Sequence, residues 1–226
     1  MLPTLAAGVE AAGPISGTTD DGHSDTTLNG ALVVLAVRFA GSDGYMHKVQ
    51  AVVQSLCNTE RALVNAGSVA HALAAVISGA PLSQALPATF PEGAAAQGAV
   101  QLAGSALAAA AAGTASSGDF KGIAKKFGPA CDVQQALPLS GFSAKYTAAG
   151  GEACPDFKSA VRTNIALSGD TCGRAPLMGA LTAAAEAPGA ALQWAPWLAL
   201  LTAGEEVTRL AAALASAAEE SAQGSC

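Results

Sequence analysis

Charged and aromatic side chains are both scarce in this sequence. Charged residues make up 12% of the 226 residues and aromatic residues 4%, whereas hydrophobic residues reach 51% and 56 residues are alanine. The charged share is about half of that in ordinary soluble domains. Alanine has the highest helix propensity but buries little area per residue. The composition therefore predicts a mainly α-helical protein that depends on helix length, close backbone packing or cross-links for its stability.

The sequence also lacks the basic surface of nucleic-acid-binding proteins. The net charge is −6 at pH 7, the isoelectric point lies near 4.9, and no stripe of lysine and arginine is present to neutralise phosphates. The small basic cluster of Lys121, Lys125 and Lys126 is expected to form a solvated face. We therefore expect no nucleic-acid partner.

No motif of a known catalytic centre is present. The chain has no GxSxG, no HExxH, no P-loop and no glycine-rich dinucleotide motif after a credible strand. Adjacent carboxylates such as Glu205 and Glu206 point in different directions on a helix, so they are expected to be solvated. His47 and His71 would lie roughly 36 Å apart on one helix, and with His23 they are expected to be surface or capping residues. The sequence predicts no enzymatic activity, no cofactor and no metal site.

The cysteines leave two alternatives open. Their spacing is irregular and contains no CxxC, which argues against structural zinc. They are either buried thiols of a reducing compartment or disulfides of an oxidising one, and three of them fall in a glycine- and proline-rich stretch where core packing is thin. We expect the second, with two bridges among Cys57, Cys131, Cys154 and Cys172, with Cys226 left over and the pairing open.

Neither a signal peptide nor a spanning helix is predicted. Residues 1–13 contain no basic region and no sustained apolar run, so a secreted chain would have to be numbered from its mature start. The apolar stretches 99–115 and 190–203 fall short of the roughly 20 predominantly apolar residues that a spanning helix needs.

The chain is predicted to form one helical domain, 1–226, in four parts. Residues 1–23 are a polar lead-in, 24–115 a long helical hairpin, 116–173 a disulfide-rich head, and 174–223 the C-terminal helices.

The most informative pattern is an apolar seam between positions 46 and 77. Apolar residues recur there at alternating three- and four-residue steps, which is typical of a long bundle helix or a coiled coil. Glu60 and Gly67 interrupt the pattern and indicate a position where a loop or another chain approaches closely. The seam consists of Met46, Val49, Val53, Leu56, Leu63, Ala70, Ala74 and Ile77.

Two helices are expected beside this seam. The first begins at Ser24 or Asp25, either of which can cap it, and reaches Phe39. The second is rich in alanine and glycine, begins at Glu92 and returns antiparallel along the seam. Its glycines would let the two backbones approach closely; they are Gly93, Gly98 and Gly104.

The head and the C-terminal part contain shorter elements. Short helices are predicted over 120–127 and 156–167, and a β-hairpin around Ser140 and Gly141, with alternating Leu137, Leu139, Phe142, Ala144 and Tyr146. A final helix over 202–222 places Val207, Leu210 and Leu214 on one face. The cluster of Trp194, Trp197, Leu198 and Leu201 predicts a core, with a pocket or an interface as the alternative.

These features together resemble the surface coat proteins of African trypanosomes. The nearest type is the N-terminal domain of the variant surface glycoproteins, and the alanine-rich proteins of the insect stages are smaller relatives in style. The resemblance rests on the long amphipathic helix of 46–77, the alanine-rich return helix and the Cys/Gly-rich head with its hairpin. The chain departs from the type because it is shorter and has no Asn-x-Ser/Thr glycosylation site.

The resemblance implies a fold, a cellular location and a function. It implies a dimeric or elongated helical bundle with long antiparallel helices, held on the extracellular face of the cell membrane by a C-terminal glycolipid (GPI) anchor after passing through the secretory pathway. Its function would be a protective layer that supports immune evasion, without catalysis.

Three hypotheses follow, and each makes a different structural prediction. A coat protein would present small polar residues at its tip, as 140–151 does. A receptor for a host protein would need an exposed apolar or aromatic patch with a polar rim. A carrier of an apolar ligand would enclose a cavity lined by Trp194, Trp197, Phe142 and leucines.

Overall fold

The computed structural model describes residues 28–85, 97–114, 120–128, 130–131, 133–149, 156–186 and 195–223. Helices make up most of these residues and no strand occurs among them, so the predicted mainly α class is confirmed. The helices are α1 (Leu28–Phe39), α2 (Tyr45–Leu56), α3 (Glu60–Ile77), α4 (Leu82–Ala85), α5 (Gln97–Ala111), α6 (Phe120–Phe127), α7 (Val133–Ala148), α8 (Phe157–Leu167), α9 (Thr171–Ala185), α10 (Ala195–Leu198) and α11 (Gly204–Gln223).

The predicted long helix over 46–77 is wrong, because the chain folds back in its middle. Helix α2 ends at Leu56, and α3 begins after Thr59, whose side chain accepts a hydrogen bond from the backbone of Ala62 at 3.1 Å. This cap competes with helix continuation because it satisfies one of the free amide groups of a new first turn. The seam is therefore split between two helices that pack against each other.

The predicted β-hairpin at Ser140 and Gly141 is also wrong. These residues lie inside α7, which continues through Pro138 although proline donates no backbone hydrogen bond. Residues 138–144, 146 and 147 of this helix are all buried. A helix that is covered on all sides does not show apolar residues at a 3.6-residue spacing. The alternation of large and small side chains within it therefore resembles the pattern of a strand.

The described residues form two hydrophobic cores. The first core is built by buried residues of α1 to α4, together with Ala144 of α7 and with Leu177 and Leu181 of α9. The second lies among α5 to α8 and contains a cluster of three rings. Because α7 contributes to both cores, the predicted division into a hairpin of 24–115 and a head of 116–173 is not seen in the described residues.

Helix α5 has a different neighbour from the one predicted. It packs on α6 and α7 and not along α3. Gly104 does not serve a close approach of backbones, since a Cβ atom there would meet nothing within 4 Å. Gly93 and the expected helix start at Glu92 lie outside the described residues.

Three further helices agree with the prediction. Helix α6 spans Phe120–Phe127, as expected. Helix α8 spans Phe157–Leu167 with Asp156 as its cap, accepting from the backbone of Ser159 at 2.6 Å. The C-terminal helix α11 begins at Gly204, with Glu205 and Glu206 in its first turn, where the helix dipole favours negative charge.

Candidate functional site

A groove lies between α2 and α3. It is an open groove with a volume of about 340 Å³, and its walls are Met46, Val49, Val53 and Leu63, four of the predicted seam residues. His47, Gln50 and Gly67 complete its lining. The sequence predicts a close approach of a loop or another chain at Gly67; in the structure, Met46 Cε lies 4.0 Å from the place of a Cβ atom there.

The antiparallel course of α2 and α3 holds this groove in shape. The hydroxyl of Tyr45, in the first turn of α2, donates a hydrogen bond to the carbonyl of Ala70 in α3 at 3.1 Å. Burial raises the pKa of Tyr45 to about 12, so the hydroxyl keeps its proton and remains a donor. Val49 and Val53 are buried, and their side chains join the groove to the first core.

The fold-back also changes the relation between two histidines. A separation of roughly 36 Å along one helix no longer applies to His47 and His71, because they now lie on two antiparallel helices. Both side chains are exposed, as predicted. Within the described part of the chain, no group of three or more His, Cys, Asp or Glu residues is arranged to hold a metal ion.

A second feature is an exposed apolar surface where α10 meets α11, called here the α10–α11 corner. Leu200 is 83% exposed and Trp197 43% exposed. The other members are Leu201, Val207 and Leu210, which are also exposed. The predicted core is therefore wrong for Trp197 and Leu201, and the alternatives, a pocket or an interface, stay predictions; Trp194 lies outside the described residues.

Charged groups of α11 border the corner. Arg209 donates two hydrogen bonds to the carboxylate of Glu206, at 2.8 Å from Nε and 2.6 Å from Nη2. This bond lowers the pKa of Glu206, and both side chains are exposed. Glu205 is exposed beside them, so the corner is an apolar surface with a polar rim.

Gly204 fixes the geometry of the corner. It is buried at the start of α11, and its backbone N–H donates to Leu201 at 3.0 Å. A Cβ atom at this position would clash with the backbone carbonyl of Leu198, and backbone atoms cannot move away as a flexible side chain can.

We expect Gly204→Ala to destabilise the corner by about 1–3 kcal/mol because of this clash. The measurement is amide hydrogen exchange of α11 together with thermal unfolding. Gly104→Ala is the matched control, since a methyl group there meets nothing and alanine favours the helix by about 1 kcal/mol. Equal behaviour of the two variants would contradict the packing described at Gly204.

A buried arginine connects α8 with α9. Arg174 is fully buried; its Nε donates to Asn164 Oδ1 at 2.9 Å and its Nη2 to the carbonyl of Ser168 at 2.5 Å. Nη1 has no hydrogen-bond partner among the described residues. Burial lowers the pKa of Arg174, and the negative charge of Asp170 opposes this effect. The group fixes the turn between the two helices, where Ser168 has a φ of 59°.

The described cysteines do not form the predicted bridges. Cys131 and Cys172 carry free thiols. Cys57 is buried at the end of α2, with its Sγ 3.9 Å from the hydroxyl of Thr59. Cys154 and Cys226 lie outside the described residues, so the disulfide pairing stays a prediction for the chain in an oxidising compartment.

Two predicted sites are not formed from the residues named for them. The proposed carrier cavity is absent from the described residues, because Phe142 is fully buried against Phe120 and Tyr146 whereas Trp197 is exposed. The proposed coat tip is wrong for Ser140 and Ser143, which are buried in α7.

The other residues of the predicted seam differ in burial. Ala70 is buried and Ala74 half-buried, whereas Leu56 and Ile77 are exposed. His23 is not among the described residues.

The described helices include none that is both long enough and apolar enough to cross a membrane. No protein-family model matches the chain, and neither the curated proteins nor the solved structures contain a match.

Proposed function

We propose that this chain is a non-enzymatic cell-surface coat protein that assembles with copies of itself through the α10–α11 corner. The observation that carries the proposal is the exposure of Trp197, Leu200 and Leu201 within five consecutive residues. Clusters of exposed large apolar side chains mark interaction surfaces.

An exposed apolar patch with a polar rim is also what a receptor for another protein would need, but the area of the corner suits a second copy as its occupant. Its five side chains expose on the order of 500 Å² of apolar surface, which lies in the range of functional patches on monomers. A stable interface needs about 1,000 Å² in total. Two corners that face each other across a two-fold axis supply this area, because an isologous contact uses the same surface twice.

The charges at the rim favour the same arrangement. In a two-fold contact between the first turns of α11, Glu205 of one copy approaches Arg209 of the other, and the reverse pair forms by symmetry. Each Arg209 already lies against Glu206, so it would bridge carboxylates of both copies. Such rim pairs contribute little affinity, but they fix the orientation of the contact.

Self-association through the corner would hold neighbouring copies together in a protein layer on the cell surface. In the setting that the resemblance implies, the chain is an elongated bundle on the extracellular face of a parasite's cell membrane, anchored by a lipid at its C-terminus. Neighbouring copies in such a layer would cover the apolar corner, and small alanine side chains would let the helices pack densely as a shield. Immune evasion then follows from coverage of the membrane and not from catalysis.

Leu200→Glu tests the self-association. We expect sedimentation of the wild-type chain at roughly 100 µM, well above the Kd expected for such an interface, to give twice the 22.0 kDa mass of the chain. The variant should give a single chain, because a buried charge without a partner opposes association. Ile165→Glu is the control: Ile165 is also exposed but lies on α8, away from the corner, so this variant should still associate.

Two outcomes would contradict this contact. One is a wild-type chain that remains monomeric at this concentration, and the other is a Leu200→Glu variant that associates as the wild type does.

The coat function is tested separately by labelling the surface of intact cells and treating them with a phospholipase that cleaves glycolipid anchors. A coat protein is labelled and then released, whereas an intracellular protein is neither.

The second candidate function is a surface receptor for a small apolar ligand. The groove between α2 and α3 favours it, because this groove is lined by seam residues and opens to solvent beside Gly67. The two functions do not exclude each other, since the groove and the corner are built by different helices.

A further inference from the structure

We propose that the groove between α2 and α3 binds a small aliphatic amphiphile, with its apolar chain between the two helices and its polar head at His47 and Gln50. The inference rests on the second candidate function above and does not depend on self-association through the α10–α11 corner. It is argued from the volume of the groove, from a lining that combines apolar walls with two polar side chains, and from the absent side chain at Gly67.

The volume limits the size of the ligand. The groove is open to solvent and has a volume of about 340 Å³, which is at the lower end of the range for ligand pockets. A water molecule occupies about 30 Å³ in the liquid, so the groove accepts on the order of ten to twelve non-hydrogen atoms. A saturated chain of about ten carbons with one head group has this size, whereas a phospholipid or a sterol is too large.

The lining determines the polarity of the ligand. Met46, Val49, Val53 and Leu63 provide apolar walls from both helices, and an unbranched thioether such as that of Met46 adapts its shape to a flexible chain. The polar groups of the lining come from His47 and Gln50, whose side chains are exposed. An imidazole and a carboxamide both donate and accept hydrogen bonds, so they suit a carboxylate or a hydroxyl head group at the mouth.

Gly67 keeps the groove open. A glycine in the interior of an 18-residue helix costs about 1 kcal/mol of helix stability relative to alanine. Its would-be Cβ atom meets only Met46 Cε, at 4.0 Å, so an alanine would fit and packing does not require the glycine. A larger side chain at this position would extend from α3 into the space that the ligand occupies.

Gly67→Leu is the test of the site. Decanoate, decanol and decylammonium are titrated separately into the ¹⁵N-labelled full chain, below the concentration at which each forms micelles, and amide shifts are followed. We expect decanoate and decanol to shift the amides of 46–53 and 63–67 with a saturable dependence, and decylammonium to bind more weakly. In Gly67→Leu the affinity should fall at least tenfold.

Gly104→Leu is the matched control. It is the same substitution at an exposed position inside a helix, where nothing lies within 4 Å, so the gain in helix propensity is common to both variants. This control should bind decanoate as the wild type does. Circular dichroism of both variants shows whether they keep the helical fold.

Three results would overturn the inference. The first is the absence of saturable shifts in the wild type with any of the three amphiphiles. The second is equal affinity of Gly67→Leu and the wild type. The third is a set of shifts centred on 197–210, which would show that the alkyl chain binds the exposed corner and not the groove.

Discussion

Replacing Asn164 with alanine is expected to lower the free energy of unfolding by about 3–5 kcal/mol, because it leaves the buried guanidinium of Arg174 without its side-chain acceptor. Asn164 Oδ1 accepts from Arg174 Nε at 2.9 Å, and Asn164 Nδ2 donates to the carbonyl of Thr171 at 3.0 Å. One Arg174 nitrogen already has no partner among the described residues. A charge that loses its partner in the interior costs more than a neutral group does.

Arg174→Met is the informative comparison. It removes the charged guanidinium, including the nitrogen that has no partner. The remaining cost is that of the Asn164 side-chain oxygen and the Ser168 carbonyl, which lose their donor, about 1–3 kcal/mol. We therefore expect Asn164→Ala to destabilise the chain more than Arg174→Met in urea unfolding. Asn164→Ala should also cost less when it is made in the Arg174→Met background. The opposite order would show that the arginine is not the group that makes Asn164 important.

Phe142→Ala is expected to cost about 3–5 kcal/mol, the usual effect of truncating a fully buried aromatic side chain. The Phe142 ring lies 6.2 Å from the Phe120 ring and 5.6 Å from the Tyr146 ring, measured between centroids. The Phe120 and Tyr146 rings meet edge to face at 5.3 Å. These three rings bring α6 and α7 together in the second core.

Phe39→Ala serves as the control for aromatic truncation. Phe39 is half-buried at the end of α1, and Lys48 Nζ lies 4.9 Å from its ring centroid. Its loss should cost about 1–2 kcal/mol. If thermal unfolding shows similar losses for the two variants, the second core does not depend on the ring cluster as described.

The parts of the fold that could be predicted from the sequence have a clear local signal. Helix α6 is short and strongly amphipathic, with Phe120, Ile123, Ala124 and Phe127 on its buried face. The spacing of these apolar residues is sufficient to predict the helix. Asp156 marked the start of α8 because an aspartate before an apolar pattern caps a helix. In both cases the residues that determine the element lie within it.

The errors occurred where local and distant interactions compete. Thr59 forms a cap that ends the seam, but the alternating apolar steps continue on both sides of it and favour one uninterrupted helix. The sequence Asn58-Thr59-Glu60 is the signal that was available for this break. In α7 no such signal exists, because its burial on all sides depends on helices that come from distant parts of the chain.

The candidate surfaces were predicted only in part. Four residues of the seam line the groove, but as walls of a helical hairpin and not as the contact face of one long helix. Trp197 and Leu201 were recognised as a cluster, yet their exposure could not be read from hydrophobicity, since a buried and an exposed leucine have the same sequence pattern. The run of apolar residues between Pro196 and Gly204 was the only indication of the corner.

The most direct test of the account places a photo-cross-linking amino acid at position 200 and analyses the products by mass spectrometry. We predict covalent dimers whose cross-linked peptides both come from the α10–α11 corner, and none when the same group replaces Ile165. Cross-links confined to peptides of one chain, or dimers joined through other helices, would contradict self-association through the corner.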